Sequence, residues 1–144
     1  MKIGVASDHA GFEYKGKIAA LLKKKGHEVI DYGTYSTESC DYSDFAHPLG
    51  TAIDNGDVEL GVAFCGTGNG MAITLNKHQK VRAALCWGTE IARLAKAHNN
   101  ANVIVMPARF ISYQMVASIV NKWLETKFEG GRHERRIEKI PLCR

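Results

Sequence analysis

Apolar runs of strand length alternate along the chain with stretches in which apolar residues recur every three or four positions. That alternation predicts β-strands interleaved with amphipathic helices. The strand candidates are Ile3 to Ala6, Val29 to Tyr32, Leu60 to Phe64, Val81 to Cys86 and Val103 to Met106. Most are near-continuous apolar runs, the pattern of strands buried on both faces, so five parallel strands are the simplest account.

Between the first two strands, Phe12 to Lys25 reads as a helix that turns Phe12, Ile18, Ala19, Leu21 and Leu22 to one side. It leaves Lys15, Lys17 and Lys23 to Lys25 to solvent and stops at Gly26. The macrodipole explains the lysine run, since cations are favoured near a helix C-terminus. A second helix is expected from about Asp44 to Asn55, with Pro48 shifting its start or kinking its first turn. A third begins within Gly70 to Asn76, a fourth covers Thr89 to Ala97, and a fifth runs from Ser112 to about Phe128 with Met115, Ile119, Val120, Trp123 and Leu124 inward. Gly130-Gly131 breaks the chain before a short basic helix, Arg132 to Ile140, which reads as an appendage to the sandwich. No repeat, low-complexity stretch or linker divides residues 1–144, so one α/β domain is expected.

Composition sharpens this picture in two ways. With 144 residues, 45% of them hydrophobic, a chain buries roughly 70% of its unfolded surface, so the four cysteines are not needed as staples. No apolar run approaches the ~20 residues that span a bilayer, and the chain opens on Met1, Lys2 and a strand-like segment rather than a signal core. A soluble, cytoplasmic protein is the expectation. The formal charge is +4, unevenly placed: residues 1–126 hold 13 Lys/Arg against 12 Asp/Glu, whereas residues 127–144 hold 6 against 3. A basic tail of this kind suits nucleic acid, an anionic membrane or a small anion, and composition does not choose among them.

In a parallel sheet every β-to-α loop falls at the carboxyl edge, where open α/β sheets bind ligands. Four such loops follow the strands: Ser7-Asp8-His9-Ala10-Gly11, Cys65-Gly66-Thr67-Gly68-Asn69-Gly70, Trp87-Gly88 and Pro107-Ala108-Arg109. The loop from Cys65 is the most informative. Its three glycines at alternate positions either form an N–H-lined nest for an oxyanion or phosphate, or serve a tight turn that only needs glycine. The spacing is neither a dinucleotide fingerprint nor a Walker loop. Cys65 itself is a candidate base or nucleophile, because inward N–H groups favour the reactive thiolate; the alternative is a small buried hydrophobe, which also suits Cys86. Cys40 and Cys143 have no evident partner, and without a C-x-x-C pair no zinc site or redox dithiol is supported.

His98, followed by Asn99 and Asn100, reads either as a helix C-terminal His with Asn caps or as a catalytic group. His9 lies on a ligand-edge loop. His27, His47, His78 and His133 show no metal-ligand spacing and default to the surface. Arg132 and Arg136, four apart on one helical face, either clamp a phosphate or belong to a solvated tail partnered by Glu134 and Glu138.

Taken together, Ser7-Asp8-His9 with Gly11, Tyr32-Gly33-Thr34 leading to Asp41-Tyr42, the loop Cys65 to Gly70, Asn76-Lys77, His98-Asn99-Asn100-Ala101-Asn102, and Gly130-Gly131-Arg132-His133 with Arg136 resemble ribose-5-phosphate isomerase type B. The likeness runs in order over nearly the whole chain. The wider family includes allose-6-phosphate and galactose-6-phosphate isomerases. The resemblance implies a Rossmann-like α/β/α sandwich, and a homodimer or dimer of dimers with active sites shared across the subunit interface. It implies aldose–ketose isomerisation through an enediolate, with no metal or organic cofactor. On that resemblance Cys65 is the base, assisted by Thr67, and the N–H groups of Gly66 to Gly70, those of Gly68 and Asn69 included, stabilise the enediolate oxygen. His98, from the partner subunit, opens the sugar ring, while Asp8 and Asn99 hold hydroxyls. His9, Arg109, Arg132 and Arg136 receive the phosphate, and Tyr42 lines the pocket. Some members use a glutamate just after the glycine loop; Met71 stands there in this chain, which leaves Cys65 as the candidate base.

Three departures from the family pattern bear on the substrate: His78-Gln79-Lys80 where a Val-Pro-Gly turn is common, Pro48 in the second helix, and the bulky Trp87 beside the ligand edge. The leading expectation is an isomerase interconverting ribose 5-phosphate and ribulose 5-phosphate. Its rivals are an isomerase of a six-carbon sugar phosphate, such as allose 6-phosphate or galactose 6-phosphate, and a non-catalytic phosphate- or nucleotide-binding module. A nucleic-acid binder working through the tail ranks last, because that tail lacks the interleaved aromatics of a single-strand reader.

Overall fold

The computed structural model describes residues 1–142; Cys143, named above as an unpaired tail cysteine, lies outside the described residues. The strands are β1 (Lys2–Ser7), β2 (Glu28–Asp31), β3 (Leu60–Cys65), β4 (Ala83–Leu85) and β5 (Val103–Pro107). They form one sheet in the order β2-β1-β3-β5-β4, every pair parallel. β3 and β5 are buried at every residue, which is why their sequences are unbroken apolar runs.

The helices are α1 (Phe12–Lys24), α2 (Ser43–Asn55), α3 (Asn69–Leu75), α4 (Thr89–Asn99), α5 (Tyr113–Glu125) and α6 (Arg132–Glu138). Ile18 and Leu22 of α1, Ala92 and Ala95 of α4, and Val116, Ile119 and Trp123 of α5 pack on one face of the sheet with Val5, Val62, Phe64 and Ile104. Ala46, Leu49 and Ile53 of α2 and Met71 and Leu75 of α3 pack on the other face with Ala6, Ala63 and Val105. The result is the expected three-layer, Rossmann-like α/β/α sandwich. No helix among the described residues is long and apolar enough to cross a membrane.

Several local expectations are corrected. The fourth strand is Ala83–Leu85 rather than Val81 to Cys86, and side-chain amides cover its start and its outer edge. Arg82 N–H donates to Asn102 Oδ1 (2.7 Å), and Ala83 exchanges both backbone bonds with the Asn76 amide (2.8 and 2.9 Å). Pro48 lies inside a continuous α2, in its second turn, where it forfeits only the N–H that would reach Asp44. α5 ends at Glu125 because Thr126 is extended (ψ 140°), and α6 ends at Glu138, before Ile140. Met115 is exposed; it follows the Ser112 cap, and Val116 takes the inward position. Lys15, expected in solvent, is 1% exposed. It falls on the apolar stripe of α1 between Phe12 and Ile18, and its ammonium turns under the sheet edge to Asp31 and the Thr34 carbonyl.

Trp123 ties α5 to the turn before β5. It is fully buried, its indole N–H donates to the Ala101 carbonyl (3.0 Å), and the Lys96 ammonium lies 4.6 Å from its ring centroid. Trp123→Ala should therefore lower the unfolding free energy by about 3–5 kcal/mol, read as a shifted midpoint in equilibrium urea denaturation.

Candidate active site

The strand order places a switch point between β1 and β3: from β1 the chain winds outward to β2, and from β3 it winds the other way. The crevice outside the carboxyl ends of two such strands is where open α/β sheets take ligands. Here those ends carry Asp8-His9 and Cys65.

After β1 the chain makes a single 3-10 turn, His9–Gly11, capped by Asp8. Asp8 is 7% exposed, and its Oδ1 accepts from the N–H groups of Ala10 (2.9 Å) and Gly11 (3.2 Å). One oxygen is thus committed to the turn, which leaves Oδ2 for a ligand. Gly11 is buried against Phe64, leaving no room for a side chain. His9 Nδ1 accepts from the backbone N–H of Cys40 (3.2 Å), so the ring proton of neutral His9 sits on Nε2.

Cys65 closes β3 at 4% exposure. The loop beyond it turns through Gly68 in the left-handed region (φ 79°) and enters α3. Thr67 Oγ1 accepts from Asn69 N–H (3.2 Å). Among the described residues no protein acceptor takes the N–H groups of Gly66, Thr67, Gly68 or Gly70. That is the donor array of the nest reading. The glycines are required for space as well as for turning: Leu85 lies against Gly68, and a Cβ on Gly70 would meet the Tyr42 ring at 2.5–2.7 Å. Arg109 folds over the same loop, its N–H donating to the Gly66 carbonyl (3.1 Å) and its side chain 3.3 Å from a Cβ built on Gly66. Asp8, His9, Tyr42, Cys65, Gly66, Thr67, Gly68, Asn69, Gly70 and Arg109 therefore gather at one edge.

Cys86 differs from Cys65. It is fully buried in the core, and burial pushes its thiol up to about 12, so it stays a protonated hydrophobe.

His98, Asn99, Arg132 and Arg136 lie elsewhere. α4 runs back against the strands, so its C-terminal His98 and Asn99 stand at the amino edge, beside α6. Glu129 N–H donates to Ala97 O (2.9 Å), which holds the start of α6 there. A strand of five or six residues separates the two edges by roughly 17–20 Å, so the chain does not bring its own His98 to its own Cys65. Arg132 and Arg136 are exposed, and among the described residues neither forms an ion pair with Glu134 or Glu138. The tail-partner reading of these arginines is thus not realised.

Sequence reasoning missed His133, which was assigned to the surface. It is 7% exposed, and its ring stacks on that of His98 (centroids 4.3 Å apart, 15° between planes). Burial, with the neighbouring His98, Arg132 and Arg136, holds its pKa below the usual imidazole value, against a smaller opposing pull from Glu129. Glu129 Oε1 lies 3.6 Å from His98 Nε2 and 3.7 Å from His133 Nε2. The Glu129–His133 spacing of four was the signal available in the sequence. These three residues form a donor trio within 4.8 Å, yet nearly parallel rings direct their lone pairs side by side rather than onto one ion. His78, also assigned to the surface, is partly buried against Gly50, and its Nε2 meets His47 Nδ1 at 2.8 Å.

Residues 3–140 match the family described as Ribose/Galactose Isomerase. The chain is 40% identical over 139 residues to ribose-5-phosphate isomerase B of Escherichia coli, which covers 96% of this chain and 93% of that protein. It superimposes on the crystal structure of a ribose 5-phosphate isomerase from Thermotoga maritima with a TM-score of 0.94, at 50% identity over 97% of both chains. It is likewise similar to ribose-5-phosphate isomerase B from Mycoplasma genitalium, solved with bound ribulose-5-phosphate: TM-score 0.93, 41% identity, 96% of this chain and 93% of that one. With the family match spanning residues 3–140 and relatives of this identity covering nearly all of the chain, the protein belongs to the ribose/galactose isomerase family and is a sugar-phosphate aldose–ketose isomerase.

Proposed function

We propose that this isomerase interconverts D-ribose 5-phosphate and D-ribulose 5-phosphate through an enediolate, with Cys65 as the base. The observation that carries the reading is Cys65 at the switch point, beneath a loop in which the N–H groups of Gly66, Thr67, Gly68 and Gly70 have no acceptor among the described residues. The Mycoplasma genitalium relative with bound ribulose-5-phosphate supports the choice of sugar.

In the forward direction the Cys65 thiolate takes the C2 proton of the open-chain aldose. The C–H electron pair becomes the C1=C2 bond, and the carbonyl pair moves to O1. Negative charge then develops on that oxygen, where the glycine-loop N–H groups and Thr67 are placed to receive it; donors already aimed at a developing oxyanion cost no reorganisation during reaction. Cys65 returns the proton to C1, and the O2 proton passes to O1, leaving the ketose. Asp8 Oδ2 and Asn99 hold hydroxyls, Tyr42 walls the crevice, and Nε2–H of His9 with Arg109, Arg132 and Arg136 binds the phosphate. Arginine suits that role through paired N–H donors.

His98 is the acid–base group that opens the sugar ring, and it acts from the partner subunit together with Asn99, Arg132 and Arg136. The separation of the two edges in one chain supports this arrangement. Two chains related by a two-fold axis each lend an amino edge to the other's carboxyl edge, giving a homodimer, or a dimer of dimers, with shared sites.

Three measurements test the reading. Cys65→Ala should fold normally and lose turnover by about 10²–10⁴-fold; unaltered turnover in that variant would overturn Cys65 as the base. Mixing Cys65→Ala with His98→Ala subunits after dissociation should restore about a quarter of wild-type activity, since half the dimers are mixed and each carries one intact site. Restoration of nothing places both residues in a single chain's site. Finally, kcat/KM on ribose 5-phosphate should exceed that on allose 6-phosphate, and the reverse order would assign a six-carbon substrate.

A further inference from the structure

From Tyr32 to Tyr42 the chain carries no helix or strand, yet this segment touches the candidate site twice. Cys40 N–H donates to His9 Nδ1, and the Tyr42 ring occupies the space above Gly70. A loop of that length without structure of its own is ordinarily mobile, so something must hold it.

Lys15 is the one lysine among the described residues that is buried. Its ammonium donates to Asp31 Oδ1 and to the Thr34 carbonyl, both at 2.6 Å, and lies 5.5 Å from the Phe12 ring and 5.4 Å from the Tyr35 ring. The same Asp31 oxygen accepts from Gly33 N–H (2.8 Å), and Tyr35 O–H donates to the Asp31 carbonyl (3.1 Å). Two reciprocal backbone bonds then join this knot to the end of β1: Ser7 N–H to Gly33 O (2.7 Å) and Thr34 N–H to Ser7 O (2.8 Å). At the far end, Phe45 in the first turn of α2 lies so close to Gly33 that an added Cβ would come within 2.7 Å of its Cε1. The start of the loop is thus gathered around a single charge, and Phe45 seats the start of α2, which Tyr42 precedes, on that knot at Gly33. Burying an ammonium is costly unless it is paired and hydrogen-bonded, and an apolar residue at this place on the α1 stripe would pack without that cost. What the apolar residue would not do is hold the Thr34 carbonyl and the Asp31 carboxylate at once.

We propose that Lys15 is a positioning residue: it fixes the Gly33–Tyr42 segment so that Cys40 presents its N–H to His9 and Tyr42 walls the crevice over the glycine loop. It does not touch the sugar phosphate. Its effect reaches His9 and Tyr42, which bind, and not Cys65 and Thr67, which stand on β3 and its own loop. The proposal deepens the isomerase reading above and, for its kinetic test, rests on it.

The test is Lys15→Met, which keeps the length and loses the charge. With the variant shown folded by its melting curve, KM for ribose 5-phosphate should rise by about tenfold or more while kcat stays within about threefold, the pattern of lost uniform binding. Hydrogen exchange at the Cys40 amide, followed by NMR, should speed up by a similar factor. A folded Lys15→Met with unchanged KM and unchanged Cys40 exchange overturns the proposal, as does a loss confined to kcat. If that variant does not fold, Asp31→Asn, at a half-exposed position, decides by the same two readings. Absence of turnover by the wild-type protein on ribose 5-phosphate would count against the substrate alone; faster Cys40 exchange would still support the positioning role, and unchanged exchange would still overturn it.

Discussion

Five strands that all point one way impose a polarity on everything attached to them. Each strand delivers its following loop to the carboxyl edge, and each crossover helix returns the chain to the amino edge. Groups at loop starts and groups at helix ends are therefore kept apart by the length of a strand, whatever their side chains. Cys65, His9 and Arg109 belong to the first set; His98, Asn99 and Arg136 belong to the second. Neither set can migrate to the other without unmaking the sheet. The chemistry proposed for this family member thus depends on a geometric constraint that no single substitution relieves.

At the carboxyl edge the site is assembled by close approach more than by long-range charge. Gly68 and Gly70 give up their side-chain volume to Leu85 and Tyr42, and Gly66 lies under Arg109. The loop thereby keeps the N–H groups of Gly66, Thr67, Gly68 and Gly70 bare while its flanks are walled. At the amino edge the organisation is different: two imidazole rings lie face to face with one carboxylate beside both. Burial lowers the His133 pKa, which disfavours positive charge next to His98.

The sequence conveyed the sheet, its parallel sense and the importance of the Cys65 loop because each has a local signature: continuous apolar runs for doubly covered strands, alternate glycines for a bare-backbone turn. It was less informative where the partner of a group is distant in the chain. Lys15 illustrates this, since its position on the α1 stripe is visible but its residue type points outward; the carboxylate and the carbonyl that admit it lie sixteen and nineteen residues on. His133 was hidden for the same reason, as its stacking partner comes from another helix. The bonds that Asn76 and Asn102 make to the start of β4 come from side chains, which apolar content does not report. The link between Cys40 and His9 uses a backbone N–H, and backbone groups leave no trace in composition.

The face-to-face histidines at the amino edge have one more consequence on the proposed pairing. On the roles proposed for His98 and Cys65, each chain carries two halves of a site and no whole one. Output per molecule then follows a second-order assembly: it rises with the amount of protein until dimers predominate and levels off beyond that. The lower limit on useful expression is set by the affinity of one subunit for another, so a cell making too little of this protein would lose more flux than the shortfall in molecules alone accounts for.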